Sequence, residues 1–265
     1  MQSKKDIQVH EKKYQNLISE NSESIFKPRV KIFDLFQKKI KKIEGKVLDI
    51  GSGTGYASIW LALNSNASSI VSNESSDVCI NELIPRNTKN FNVDNKVVPL
   101  KGNFSELDYS DHFDFIVSFG SIHHSDCLFE TMSALGKYLK DGGYLIMNEP
   151  TMSNYTTNEQ YVKKYNKEEI IEGVKLKNFE RNDKFFRESE YIAAGCYAGL
   201  DLLYLSSFKV ENNFKKIKKI IKSIMLLKFK DLIINLKTKK KVNSKVYFFK
   251  KKKTENIPHK WKGLK

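Results

Sequence analysis

The stretch "KVLDIGSGTGYASIWLA", Lys46 to Ala62, decides how the chain is read. An apolar run, "KVLDI" (46–50), enters a cluster of glycines and leaves as a second apolar run. A buried strand that turns sharply into a helix has this pattern. Glycines at such a turn let the backbone bend and come close to a ligand. The N–H groups at the start of the following helix favour an anionic group.

Outward from that turn, strands and helices alternate. "SSIVSN" (68–73), "KVVPLK" (96–101), "FDFIVSF" (113–119) and "YLIMNE" (144–149) read as strands. "GYASIWLAL", "SDVCINELI" up to Pro85, and "CLFETMSALGKYL" (127–139) read as the helices between them, the last stopped by Asp141-Gly142-Gly143. Residues 6–19 and 29–43 read as two further helices in front. Apolar strands alternating with helices predict an α/β fold: a doubly wound, mostly parallel seven-stranded sheet with helices on both faces. "LDLLYLSSF" (200–208) and "KVYFFKKKK" (245–253) supply the last two strands. In such a sheet ligands bind beyond the carboxyl ends of the strands, where the strand order reverses.

Glu74 ends the second strand, where an acid can accept hydrogen bonds from both ribose hydroxyls of a nucleoside. The dinucleotide fingerprint G-x-G-x-x-G/A fails here, because its third position falls on Tyr56. The sequence instead reads Asp-x-Gly-x-Gly-x-Gly from Asp49 to Gly55. With "FDFIVSFGSIHH" and "LKDGGYLIMNEP" in order behind it, the chain resembles the class I S-adenosylmethionine-dependent methyltransferases, over about residues 45–150.

The resemblance implies S-adenosyl-L-methionine as cofactor and a role for each matching residue. Gly51, Ser52, Gly53 and Gly55 would cradle its methionine part, and Asp49 would bind its ammonium group. Glu74 would hold the ribose, Asn103 and Phe104 the adenine, and the backbone near Ser118 and Gly120 the sulfonium. Ser72 and Asn73 depart from the glycine and apolar residue usual before that acid. An alcohol acceptor must also lose a proton, which calls for a base. His123 and His124, after the fourth strand, and Glu149, at the end of the fifth, are the candidates.

The acceptor is read by elimination. No Asp/Asn-Pro-Pro-aromatic run follows the fourth strand and no cysteine follows a proline, so base methylation of nucleic acid loses support. The segment 151–198 carries Tyr155, Tyr161, Tyr165, Arg187, Glu190 and Tyr191, an aromatic and polar mix that suits a hydroxylated acceptor. The expected reaction is therefore O-methylation of a small molecule or a glycan or lipid-linked precursor. The alternatives are an RNA methyltransferase and a cofactor-binding protein without turnover. No metal site is expected: Cys79, Cys127 and Cys196 stand far apart with no CxxC pair, which also fits a reducing cytosol.

The net charge of +15 is not spread over the chain. Residues 211–253 carry sixteen lysines against two acids, while residues 1–210 sum to −1. Between the last two strands, Phe214, Ile217, Ile221, Ile224, Phe229, Ile233 and Leu236 recur at helical spacing. A basic amphipathic helix of this kind, residues 212–241, reads as a contact with an anionic membrane surface. The organisation expected is N-terminal helices covering the site over 1–44, and a methyltransferase core over 45–210 with its acceptor insertion at 151–198. A basic helical insertion over 211–243 and a last strand with basic tail over 244–265 complete it. The polar, charged start is no secretory signal, and no apolar run reaches the length of a membrane span, so a cytoplasmic enzyme is expected.

Overall fold

A computed structural model describes residues 23–171, 174–177, 183–207 and 243–253. The helix expected over 6–19 and the basic helix expected over 212–241 lie outside the described residues. The elements run α1 (Glu23–Lys39), β1 (Glu44–Ile50), α2 (Tyr56–Asn64), β2 (Asn66–Glu74), α3 (Ile84–Asn90), β3 (Val97–Lys101) and β4 (Phe113–Phe119). Then follow α4 (Leu128–Tyr138), β5 (Leu139–Thr151), α5 (Asn158–Tyr165), β6 (Glu168–Ile171), β7 (Val174–Lys177), α6 (Glu188–Tyr197), β8 (Leu200–Ser207) and β9 (Asn243–Lys251). Seven strands form one sheet in the order β3-β2-β1-β4-β5-β9-β8, and β6 and β7 form a separate hairpin. Within the seven-stranded sheet only β9 runs against its neighbours.

Successive residues of each strand serve opposite faces, as the two-residue repeat of a strand requires. Val47, Phe115, Val117, Ile146, Val246 and Phe248 pack with α1 and α2 on one side. Leu48, Ile116, Leu145, Met147, Tyr247 and Phe249 pack with α4 and α6 on the other. The sheet is therefore buried on both faces, which explains why its strands are continuous apolar runs rather than alternating ones. The chain leaves β1 in one direction and β4 lies on β1's other side, so the order reverses between them, at Ile50 opposite Ser118.

The last two strands make the antiparallel edge of the sheet, with β9 inserted between β5 and β8. Three local expectations are corrected. Asp141-Gly142-Gly143 does not separate helix from strand, because β5 begins at Leu139 directly after α4. Those residues bulge out between the pairings Phe113–Leu139 and Phe115–Tyr144, with Gly142 at φ 78°. Pro85 does not end its helix: a π-helical turn, Cys79–Leu83, passes into α3 with the proline in its first turn, where the ring's missing N–H costs no bond. The first core helix spans Glu23–Lys39 rather than 29–43. Pro99, which cannot donate to a ladder, sits in β3 at the other sheet edge.

Candidate active site

The glycine turn is built where the strand order reverses. Gly51, Gly53 and Gly55 have φ of 56°, 57° and 80°, the left-handed region that other residues enter at a cost. The turn is tied down by Ser52 N donating to Asn73 O (2.9 Å) and Gly55 N donating to Ser52 O (3.0 Å). Gly51 also lies against the chain after β4: a Cβ there would stand 2.4 Å from Ser121 Oγ. Ser121 Oγ donates to Gly51 O at 3.1 Å, so the two strand-end loops are bolted together.

Two carboxylates flank this turn. Asp49 is only 2% exposed and accepts a hydrogen bond from Ser58 Oγ (2.7 Å). Burial pushes its carboxyl up to about 7, against the Ser58 bonds that lower it, and the charge of Glu74 adds to the rise. A buried carboxylate held that high is one whose charge the surrounding protein does not compensate. Glu74 Oε2 accepts from Gly53 N (2.8 Å), and Oε1 accepts from Ser75 N (2.8 Å). Asn73, one of the two departures before it, donates to Leu100 O (3.1 Å) and Gly102 O (3.0 Å) and so ties the end of β2 to the end of β3.

The groove fits a cationic nucleoside conjugate. Ser52 Oγ and Asn73 Oδ1 are buried without a hydrogen-bond partner among the described residues. Asn103 is exposed, and its Oδ1 accepts from Ser105 N (3.2 Å) and Ser105 Oγ (2.9 Å) while Nδ2 donates to Glu106 (2.9 Å). Its side chain therefore closes the turn after β3. Phe104 is half-buried and packs against the core on the α4 side of the sheet.

Beyond β4, the loop is organised by one buried acid. Glu149 is fully buried. Its Oε1 accepts from Ser118 Oγ (2.7 Å), Ser121 N (3.1 Å) and Ile122 N (3.2 Å), and its Oε2 lies 2.9 Å from His123 Nδ1. Burial would raise the Glu149 carboxyl, but the bonds from His123, Ser118 and Ser121 outweigh it and keep it below the usual range. Gly120, at φ 74°, turns the chain here, with its N–H on Asn148 O (2.9 Å).

His123 and His124 stand together with ring centroids 4.0 Å apart. Asp183, which sequence reading missed, closes the group: its Oδ1 lies 3.6 Å from His123 Nε2 and 3.4 Å from His124 Nδ1. Burial pulls the His123 ring down, but Asp183 and Glu149 on either side outweigh it and hold the ring at about 9. The side chain of His124 is 23% exposed against 10% for His123, so His124 is the more open of the pair. Glu149, His123, His124, Ser118, Gly120 and the glycine turn thus converge on one place, while Asn103 stands apart in its own turn. Asp183 had no sequence signal, since it sits in an irregular segment, which Lys184 N ties to His123 O (3.0 Å). Of the polar residues in the 151–198 segment, Tyr155 is 92% exposed, while Tyr191 is buried in the core and serves packing.

Comparison with known proteins agrees with this architecture. A family model described as a methyltransferase domain matches residues 11–204. A rice protein (Oryza sativa subsp. indica), provisionally named protein arginine N-methyltransferase 6.1, is 30% identical over 151 residues, covering 52% of this chain and 38% of that protein. The chain thus spans less than half the length of the curated relatives it matches. A provisionally assigned sarcosine dimethylglycine methyltransferase from Galdieria sulphuraria superposes with a TM-score of 0.64 at 17% identity, over 86% of each chain. Geranyl diphosphate C-methyltransferase from Streptomyces coelicolor, solved with Mg2+, geranyl diphosphate and S-adenosyl-L-homocysteine, gives 0.58 at 10% identity, over 84% of this chain and 80% of that one. A [4+2]-cyclase gives 0.58 at 13% identity, over 85% and 80%.

Proposed function

The chain belongs to the class I S-adenosylmethionine-dependent methyltransferases, and on that premise we propose that it methylates an oxygen of a small molecule or of a glycan or lipid-linked precursor. S-adenosylmethionine supplies a methyl group whose C–S bond breaks, the sulfur keeping the electron pair, as an acceptor oxygen forms the new C–O bond. The protein's own tasks are to hold the cofactor, exclude water, orient the acceptor and remove its proton. Gly51, Ser52, Gly53 and Gly55 would hold the methionine part, Asp49 its ammonium group and Glu74 the ribose. Ser118 and Gly120 would line the reacting centre, with Phe104 and Asn103 at the adenine end.

The observation that carries the oxygen reading is the histidine pair anchored on Glu149 beside the glycine turn. Proton removal needs a basic group held at the acceptor. Glu149 fixes His123, and the more open His124 meets the acceptor. The test incubates the protein with S-adenosylmethionine and fractionated extract and searches by mass spectrometry for a product heavier by CH2. His124→Ala should cut turnover by roughly 10²–10⁴-fold, the range of general-base catalysis, and leave cofactor affinity nearly intact. Cofactor bound but never consumed across a broad acceptor panel would overturn methyl transfer. A fold does not fix a chemistry, and a [4+2]-cyclase shares this one.

The same reading extends to location. Among the described residues no helix is long and apolar enough to cross a membrane. The lysine-rich stretch 212–241 would hold a cytoplasmic enzyme at an anionic surface, each lysine contributing about 1 kcal/mol there. RNA is the other acidic partner that this charge would suit, and competition between anionic vesicles and RNA separates the two.

A further inference from the structure

We propose that His123, His124 and Asp183 form a binding site for one divalent transition-metal ion, beside the place where the acceptor oxygen is handled. The three side chains come from two separate segments. Among the described residues they are the only cluster of histidine, cysteine or acidic side chains with metal-ligand spacing, and their donor atoms all lie within 4.8 Å of one another.

Asp183 Oδ1 stands 3.6 Å from His123 Nε2 and 3.4 Å from His124 Nδ1. Ligands held at about 2.0–2.1 Å from a tetrahedral ion lie about 3.4 Å from each other. Two of the three separations match that spacing, and the two rings, with all three donor atoms within 4.8 Å of one another, would close on the ion to complete it.

The surroundings complete the pattern. His123 presents Nδ1 to the buried Glu149 at 2.9 Å, which turns Nε2 towards Asp183. A carboxylate behind a metal-bound histidine fixes the ring's orientation and raises its basicity. Glu149 itself is locked by Ser118 and the backbone of Ser121 and Ile122, so the support is rigid.

Two imidazoles and one carboxylate select Zn(II), Co(II), Mn(II) or Fe(II) over Mg(II) or Ca(II), which prefer oxygen. Three protein ligands leave positions open, as a working rather than a structural site does. With the ion bound His124 would be a ligand and not the base, and an acceptor hydroxyl on the ion would lose its proton to water instead. This use of the ion rests on the methyl-transfer reading; the site itself rests only on the side chains.

The test is titration of the chelator-treated full chain with Co(II). The expected result is ligand-field absorption in the visible that saturates at one ion per chain. His124→Ala and Asp183→Ala should each abolish it, and Glu149→Gln should keep the bands but weaken binding 10–100-fold. Binding of S-adenosyl-L-homocysteine, measured on the same samples, shows that each variant is folded. The proposal is overturned if the parent develops no bands with Co(II) in excess, or if both alanine variants keep them. Failure of the parent to bind S-adenosyl-L-homocysteine would instead sink the methyl-transfer reading, whatever the cobalt spectrum shows.

Discussion

With Asp49 at the cofactor's ammonium group, as proposed, its buried carboxylate would make cofactor binding depend on pH. Its pKa in the folded protein is about 7, against an ordinary 3.8. Between those values the folded chain holds a proton that the unfolded chain has lost. Folding stability of the free protein therefore falls as pH rises from about 4 to about 7, and the cost is fully present above that. A cofactor ammonium group needs the ionised carboxylate, so its binding runs the other way. At pH 6 roughly a tenth of Asp49 is ionised and at pH 8 roughly nine tenths, and apparent affinity scales with the competent fraction. The dissociation constant for S-adenosyl-L-homocysteine should thus be about tenfold weaker at pH 6 than at pH 8, about 1.4 kcal/mol. Calorimetry at pH 6, 7 and 8, in buffers of different ionisation enthalpy, measures both the affinity and the proton released on binding. Asp49→Asn, which keeps the shape and the Ser58 contact, should bind weakly with a flat profile. A parent whose affinity does not change with pH, or an Asp49→Asn variant with the parent's slope, would refute the placement of the ammonium group at Asp49.

Three further outcomes follow from the same geometry. Gly51→Ala forces a side chain into φ 56° and against Ser121 Oγ, so it should destabilise by about 2–4 kcal/mol and lower the thermal midpoint by several degrees in circular dichroism; adding Ser121→Gly should recover the steric part, and an unchanged single variant would place the turn wrongly. Glu74→Ala should weaken cofactor binding by about 1–3 kcal/mol, as loss of charged hydrogen bonds does, and an unchanged dissociation constant removes Glu74 from the site. Replacing Lys215, Lys216, Lys218, Lys219 and Lys222 by Gln should abolish salt-sensitive co-sedimentation with anionic vesicles at constant cofactor affinity, whereas a parent that stays in the supernatant at low salt ends the membrane reading.

Sequence alone determined the sheet, because each strand is apolar on both faces and each helix on one. Val47 beside Leu48, and Phe115 beside Ile116, already require helices above and below. It also marked the turn after β1: glycines are needed where φ is positive, and Glu74 stands at the end of β2, so residue type and position carry the information. What tertiary structure decided is everything that depends on a partner distant in the chain. Nothing in the run "YLIMNEP" says that Glu149 is buried and holds the loop after β4, since its donors are Ser118, Ser121, Ile122 and His123, some thirty residues earlier. Asp183 meets the histidine pair where Lys184 N bonds to His123 O, a contact between segments some sixty residues apart. Likewise, β9 reads as a last strand, but its place between β5 and β8 follows from two-sided pairing, which a one-dimensional pattern cannot express. Local chemistry is written in residue type and spacing, whereas the protonation, burial and grouping of the reactive side chains arise from contacts that only the folded chain makes.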